Sequence, residues 1–246
     1  MKTFHLPKNA ALIVVSDTHV KTEHDERYLL LCSLVESAVA SGAKGLVLNG
    51  DIFDFFFGWG TYFQNKYLRL LKGLDALAKS GATVWFVQGN HEFGMEGLEN
   101  IFSFEILSSE GRVWTSPQGK KVLITHGDLL KRDVKYQIFR SFIRSRFVSV
   151  LAFLTPQRLL DQMTLWFART SRKKDKYRVL RHDHIIACAK DFLNQSGVDT
   201  IIFGHFHHPY DEVLEDGRRI LSVTSWHQPS CLVITQDGSL TRLTPE

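Results

Sequence analysis

Short apolar runs alternate with longer periodic segments in the first half of the chain. The apolar runs cover residues 11–15, 45–49 and 83–87, and each has the length of a buried strand. Residues 29–40 and 62–79 lie between these runs and are expected to be helical. Strands that alternate with helices predict a layered α/β architecture.

The second half of the chain contains more short strand patterns. RVWTS and KVLIT come first, and VDTIIF, RRILSVTS, SCLVITQ and SLTRLT follow towards the C-terminus. Closely spaced strands of this kind predict a second, more antiparallel sheet. The fold class predicted from the whole pattern is α/β (α+β), with two facing mixed β-sheets flanked by helices in a four-layer sandwich.

A helical pattern interrupts the strands of the second half. Pro156 begins one helix of this interruption, and an apolar stripe at helical spacing precedes it. We expect a helical cap insertion over residues 135–180 within a single domain of residues 1–246. The stripe consists of Phe139, Phe142, Ile143, Phe147, Val150, Leu151 and Leu154.

The composition excludes a disordered chain and shows an uneven distribution of charge. Hydrophobic residues make up 44% and charged residues 23%, which are ordinary values for a globular protein. The net charge is +4, but residues 131–181 contain 14 Lys and Arg against 3 Asp and Glu. Such a basic segment favours an anionic partner, and the alternative is a solvated helical face.

The cysteines and the N-terminal region indicate the compartment. Cys32, Cys188 and Cys231 are far apart and follow no disulfide or zinc spacing, which is typical of a reducing compartment. The N-terminal apolar stretch at residues 10–15 has six residues before Ser16, too few for a signal peptide core or a membrane span. We therefore expect a cytoplasmic protein.

Polar residues capable of chemistry follow five of the predicted strands. The segments are SDTH, NGD, QGNH, THGD and GHFHH, and each begins where an apolar run ends. Loops at the carboxyl ends of strands in an open α/β sheet converge on one crevice, where ligands bind. Seven side chains are expected to meet there: Asp17, His19, Asp51, Asn90, His126, His205 and His207.

This set of nitrogen and oxygen donors predicts a metal site. Imidazoles, carboxylates and one amide suit Mn²⁺, Fe²⁺ or Zn²⁺ better than Ca²⁺. Seven ligands exceed the needs of one ion, whereas two ions that share a carboxylate would use them all and could hold a phosphate between them. A single Asp-x-His or Gly-Asp is usually a cap or a turn, but five such loops in this order favour a metal site.

The ordered motifs DxH, GD, GNH, HG and GHxH resemble those of the calcineurin-like metallophosphoesterase family. The resemblance implies two facing mixed sheets and two divalent ions. It also implies Asp51 and His91 as catalytic residues, with Asp51 bridging the ions and His91 acting on the leaving group. One ion is expected on Asp17, His19, Asp51 and His207, and the other on Asp51, Asn90, His126 and His205.

Two longer segments, DIFDFFFGW and HGDLLKRDVKYQIFRSF, resemble one branch of this family, the UDP-2,3-diacylglucosamine diphosphatases of lipid A biosynthesis. The resemblance implies hydrolysis of a lipid-linked nucleotide sugar to UMP and lipid X, with Mn²⁺ as the favoured ion. It also implies a peripheral position on the cytoplasmic face of the inner membrane. The substrate contacts implied are Asn90, His91, Asp133, Tyr136, Ser171 and Arg178.

Two alternatives remain open. Gly89-Asn90-His91-Glu92 stands where the branch generally has Gly-Asn-Arg-Asp, and GNHE is the commoner form in the superfamily. The first alternative is therefore another phosphoesterase, acting on a nucleotide, a phosphodiester or a phosphoprotein, with nucleic acid the less favoured partner. The second is a non-catalytic scaffold, which the intact set of seven ligands disfavours. The sequence does not indicate the oligomeric state.

Overall fold

The computed structural model describes residues 2–131, 133–163 and 182–246. The strands are β1 (Leu12–Val15), β2 (Gly45–Asn49), β3 (Phe56–Phe57), β4 (Thr83–Val87), β5 (Glu92–Phe93), β6 (Glu105–Leu107), β7 (Arg112–Thr115), β8 (Lys121–Thr125), β9 (Thr200–Phe203), β10 (Asp211–Val213), β11 (Arg219–Ser222), β12 (Cys231–Ile234) and β13 (Leu240–Leu243). The helices are α1 (Glu26–Ser41), α2 (Tyr62–Lys66), α3 (Leu68–Lys79), α4 (Val134–Ile143), α5 (Arg146–Leu154) and α6 (His182–Ser196), with a 3₁₀ helix at Met95–Asn100. Residues 157–163 are also helical.

Two mixed sheets form the body of the molecule. The first has the strand order β13-β12-β1-β2-β4-β6 and the second β10-β11-β9-β8-β7. β1, β2, β4 and β6 are mutually parallel, as are β8, β9 and β11, while the other strands of these two sheets are antiparallel to their neighbours. A small third sheet pairs β3 with β5.

Alternate residues of each strand enter different hydrophobic cores, because successive side chains point to opposite faces. Leu12 and Val14 of β1 pack between the two sheets, against residues of the second sheet such as Ile124. Ile13 and Val15 face the opposite side, with α1 and α3. A third core lies between the second sheet and α6. The layers are thus helix, sheet, sheet and helix, and the predicted fold class is confirmed.

The C-terminal strands differ from the sequence-based expectation. β12 and β13 do not extend a second, antiparallel sheet; β12 pairs with β1, with Leu12 opposite Ile234. All four residues of β1 are buried, and a central strand needs a hydrogen-bonding neighbour on both sides. β12 supplies the neighbour that β2 cannot, so the expectation that these two C-terminal strands belong to the second sheet was wrong.

Two predicted helices are each divided. The helix expected over residues 62–79 breaks at Tyr67, whose backbone leaves the helical region at φ −113° while its ring packs 4.2 Å from that of Phe53. The stripe that begins at Phe139 breaks after Arg144, where the extended Ser145 caps α5. Among the residues described, no helix combines the length and the apolar character needed to cross a membrane.

Candidate metal centre

The loops that follow β1 and β9 bring three of the predicted ligands together. His19 Nε2 lies 3.1 Å from His207 Nε2, and His207 Nε2 lies 3.2 Å from Asp17 Oδ1. Two imidazole nitrogens this close need a proton or a cation between them, because lone pairs that face each other repel. These three residues form the first ligand cluster.

The loops that follow β2, β4, β8 and β9 form the second ligand cluster. His126 Nε2 lies 3.4 Å from Asp51 Oδ2 and 3.4 Å from the side-chain oxygen of Asn90. The ring of His205 meets that of His126 edge-on at 5.1 Å, and donor atoms of Asp51, His126 and His205 lie within 4.8 Å of one another. Asp51 also lies within this distance of His19 and His91, so its carboxylate connects the two clusters.

The backbone at this site is held in an unfavourable conformation. A non-glycine residue with positive φ costs on the order of 1–3 kcal/mol and is concentrated at functional sites. Apart from Asn9, the non-glycine residues described with positive φ are all predicted ligands. They are Asp17, His19, Asp51, His205 and His207.

Backbone carbonyls fix the orientation of two imidazoles. Nδ1–H of His126 donates to the carbonyl of Asn49 at 3.0 Å, so its Nε2 points at the second ligand cluster. Nδ1–H of His91 donates to the carbonyl of Asp54 at 2.7 Å, which leaves its Nε2 4.0 Å from Asp51 Oδ2. Both rings therefore present Nε2 to the same carboxylate.

Burial and charge set the protonation of the histidines. Burial lowers the pKa of His19 to about 3 and that of His205 to about 4, so both are neutral near pH 7. Burial also disfavours the charged form of His126, but the Asp51 carboxylate outweighs it and raises its pKa to about 10. A cation bound here would compete with that proton, since only a neutral imidazole is a ligand.

The carboxylates at the site are strongly stabilised in the charged form. Burial would raise the pKa of Asp51, yet the neighbouring His126 charge holds it well below its usual value. Burial would also raise the pKa of Asp17, but that pKa is lowered, chiefly by the hydrogen bond of Asp17 with His207. Its two oxygens also accept from the backbone N–H of His205, at 3.0 Å each. The site therefore presents two buried negative charges to a ligand.

One buried atom provides an independent test of the fit to a metal. Nδ1 of His205 is buried and has no hydrogen-bond partner among the described residues. A buried polar atom left unpaired costs about 1–3 kcal/mol. His205 belongs to the second ligand cluster, and the lone pair of its neutral imidazole is a donor that borderline divalent cations accept. The residues present therefore fit a divalent metal.

Glu92 is part of the site, although its role was not predicted from the sequence. Its buried carboxylate accepts from the backbone N–H groups of Asp51 at 3.0 Å, Phe53 at 3.1 Å and Gly89 at 2.8 Å. Burial, followed by the charge of Asp51, raises its pKa to about 7. Glu92 thus joins the loop of Asp51 to the loop of Asn90. An acidic residue directly after GNH was the available signal.

Only some of the predicted substrate contacts lie in the metal centre. Asn90 and His91 lie in the site, as described above. Asp133 caps α4 by accepting from the N–H of Lys135 at 2.9 Å, and the Tyr136 hydroxyl donates to Asp128 at 2.9 Å. Ser171 and Arg178 lie outside the described residues, as do the other basic residues between positions 172 and 176.

Comparison with known proteins identifies relatives over most of the chain. Residues 11–209 match the family model described as calcineurin-like phosphoesterase. The UDP-2,3-diacylglucosamine hydrolase of Blochmanniella pennsylvanica (strain BPEN) is 28% identical, over 81% of this chain and 80% of its own. That of Stenotrophomonas maltophilia (strain K279a) is 28% identical over 92% and 95%. A solved archaeal phosphodiesterase shares the fold, with a TM-score of 0.50 at 14% identity, over 95% of this chain and 98% of that one.

Proposed function

The chain belongs to the calcineurin-like phosphoesterase family, and we propose that it hydrolyses the pyrophosphate of UDP-2,3-diacylglucosamine. The products would be UMP and 2,3-diacylglucosamine 1-phosphate, in lipid A biosynthesis. The protein is a metal-dependent phosphoesterase. The observation that carries the proposal is the meeting of seven donor side chains on loops that follow strands of both sheets. The chain is similar over most of its length to two proteins named UDP-2,3-diacylglucosamine hydrolase, and this similarity supports the choice of substrate.

We assign the seven donors to two divalent ions. One ion would use Asp17, His19, Asp51 and His207, and the other Asp51, Asn90, His126 and His205. The connecting position of Asp51 between the two ligand clusters supports this division. Mn²⁺ is the favoured ion, with Fe²⁺ and Zn²⁺ as alternatives. The chemistry supplied by two bound ions is Lewis acidity towards the phosphoryl oxygens and towards water.

His91 is assigned to proton transfer at the leaving group. Its Nδ1–H is engaged by the Asp54 carbonyl, so Nε2 is the nitrogen that faces the site. A proton held at Nε2 can neutralise the phosphate oxygen that departs, which is a general acid role worth about 10²–10⁴-fold in rate. Asn90 would contact the same phosphate through its position beside His91.

The helical region is assigned to the acyl chains. Two side chains of α4 attach it to the THGD loop, since Tyr136 donates to Asp128 and Arg140 Nε lies 3.3 Å from the same carboxylate. The apolar side chains of α4 and α5 are nevertheless exposed, as Phe147 and Leu154 are at 72% each. An apolar surface next to a phosphate site suits a diacylated sugar phosphate. Residues 135–180 would form a cap on the single domain.

A membrane surface is the proposed location of the reaction. The exposed apolar face of α4 and α5 is followed, later in the same predicted insertion, by the basic residues at positions 172–178. Apolar and basic residues together favour peripheral contact with an anionic bilayer, where a diacylated substrate resides. Sedimentation with vesicles of mixed zwitterionic and anionic phospholipid would test this. Equal sedimentation with purely zwitterionic vesicles would contradict the electrostatic part.

The substrate assignment is tested by comparing three compounds. Protein freed of metal and then loaded with Mn²⁺ is expected to release UMP from UDP-2,3-diacylglucosamine, much more slowly from UDP-N-acetylglucosamine, and slowly to hydrolyse bis(p-nitrophenyl) phosphate. The difference between the first two measures the contribution of the acyl chains. Turnover of only the simple phosphodiester would instead identify another phosphoesterase of this family.

A further inference from the structure

Arg144 connects the helical region to the loop that carries Asn90 and His91. It is the first of the two residues between α4 and α5, and its side chain is half-buried. Its Nη2 donates to the carbonyl oxygens of Gly89 at 2.6 Å and Glu92 at 3.1 Å, and its Nη1 donates to Oε1 of Gln88 at 3.1 Å. One guanidinium thus holds three residues of a five-residue loop.

This loop is in direct contact with the carboxylate that connects the two ligand clusters. A Cβ added at Gly89 would lie 2.2 Å from Asp51 Oδ1 and 2.3 Å from Asp51 N. The N–H of His91 also faces Asp51 Oδ1, at 3.2 Å. With no free space between the loop and Asp51, a shift of the Gly89 backbone would displace both Asn90 and Asp51.

The loop is held from two sides. Glu92 accepts from the N–H of Gly89 on the inner side, and Arg144 donates to the carbonyl of the same residue on the outer side. The guanidinium also lies over the ring of Phe93, 5.6 Å from its centroid. A planar guanidinium can donate to several acceptors in fixed directions, which an ammonium group cannot do.

We infer that Arg144 is a positioning residue, which holds the loop at 88–92 so that Asn90 reaches the second metal and His91 reaches the substrate. The inference rests on the metal assignment of the proposed function. Arg144 itself touches neither ligand cluster directly; it acts through the carbonyls of Gly89 and Glu92. The same contact fixes the corner between α4 and α5 beside the site, so the helical region and the metal ligands are joined by one side chain.

The test compares Arg144→Met and Arg144→Lys with Arg146→Ala. Met keeps the apolar stem and removes every donor, whereas Lys keeps one ammonium group. Arg146 is an exposed arginine two residues further on, at the start of α5, and serves as the matched control for loss of a positive charge in this region. Isothermal titration calorimetry of the metal-free protein with Mn²⁺ alone measures the affinity of each metal site. The unfolding temperature of the metal-free protein reports folding separately.

The expected result is a fall of about 10–100-fold in the affinity of the weaker Mn²⁺ site in Arg144→Met, the usual effect of losing a group that orients a ligand. Arg144→Lys should lie between this variant and the wild type, and Arg146→Ala should match the wild type. The turnover number at saturating Mn²⁺ should fall with little change in KM for bis(p-nitrophenyl) phosphate, since the small ester does not need the helical region.

Wild-type Mn²⁺ affinity in Arg144→Met would overturn the inference, whatever its unfolding temperature. If Arg144→Met does not fold, Arg144→Lys decides by the same measurement. An equal loss of affinity in Arg146→Ala would also overturn it, because charge alone would then explain the effect. A wild type that binds Mn²⁺ but releases no UMP would refute the substrate assignment and leave the comparison of affinities intact.

Discussion

The candidate metal centre and the helical region both depart from the usual distribution, in which charged residues are exposed and large apolar residues are buried. The metal centre buries charged side chains, whereas the helical region exposes apolar ones. At the site, Asp17 and His126 are completely buried. In the helical region, Phe139 and Phe142 of α4 are 60% and 58% exposed, and Phe147 of α5 is 72% exposed. Buried charged groups and large exposed apolar patches are the two arrangements that a folded chain normally avoids.

Each departure corresponds to a ligand of the proposed function. A divalent cation would balance the buried carboxylates and imidazoles, and acyl chains would cover the exposed apolar side chains. The two regions also differ in how firmly they are held. The ligands stand on loops at the ends of strands in two packed sheets, whereas α4 and α5 contribute no fully buried side chain. Changes at the site should therefore have larger effects than changes in the helices.

The largest effect is expected from Asp51→Asn. The substitution removes the negative charge that connects the two ligand clusters, and a loss of several kcal/mol of transition-state stabilisation corresponds to about a thousandfold or more in turnover. Steady-state kinetics with Mn²⁺ measures it, and Asp216→Asn, at an exposed carboxylate paired with Arg218, is the control. Full activity in Asp51→Asn would refute the assignment of two metals.

His91→Ala is expected to lower turnover by about a hundredfold, because a general acid contributes about 10²–10⁴-fold. Metal content should stay at the wild-type level, since His91 is not among the assigned ligands. Elemental analysis of the purified variant separates the two effects. His24→Ala removes a histidine whose side chain is 88% exposed and should change neither quantity. A loss of bound metal in His91→Ala would make His91 a ligand instead.

Gly89→Ala is expected to lower the free energy of unfolding by about 1–3 kcal/mol, since its new Cβ would overlap the backbone and carboxylate of Asp51. Gly97→Ala is the matched control, because a Cβ at Gly97 meets nothing within 4 Å. Chemical denaturation of the metal-free proteins gives both values. Equal stability of the two variants would show that the loop at 88–92 can shift to accommodate the added Cβ at little cost in free energy.

The smallest effect is expected from Phe147→Ser combined with Leu154→Ser. Both side chains are 72% exposed, so stability should change by less than about 0.5 kcal/mol. KM for the diacylated substrate should rise about fivefold, as removal of an apolar contact costs about 1 kcal/mol. KM for bis(p-nitrophenyl) phosphate should not change. Val213→Ser, at an exposed valine of β10, is the control. An unchanged KM for the lipid would place the acyl chains elsewhere.

The sequence predicted most of the fold that positions the site. β2, β4 and β8 begin and end at the residues expected from their apolar runs. The short strands β3, β5, β6 and β10 were missed, because two or three residues carry no periodicity and their pairing depends on the neighbouring strand. The family and the fold class are confirmed. The metal ligands lie together as expected, and their roles stay predictions.

The sequence by itself indicated which donors gather at the site, because polar residues that follow parallel strands lie at the same end of a sheet. The packing of the two sheets then brought the donors of both sheets together. Only the tertiary structure decided how those donors are held. Arg144 and Gly89 are 55 positions apart, and no local pattern relates them. The return of β12 to β1 and the exposure of Phe147 were likewise decided by packing between distant segments. Hydrophobic periodicity indicates that a face is apolar, but not whether the protein covers it or leaves it for a ligand.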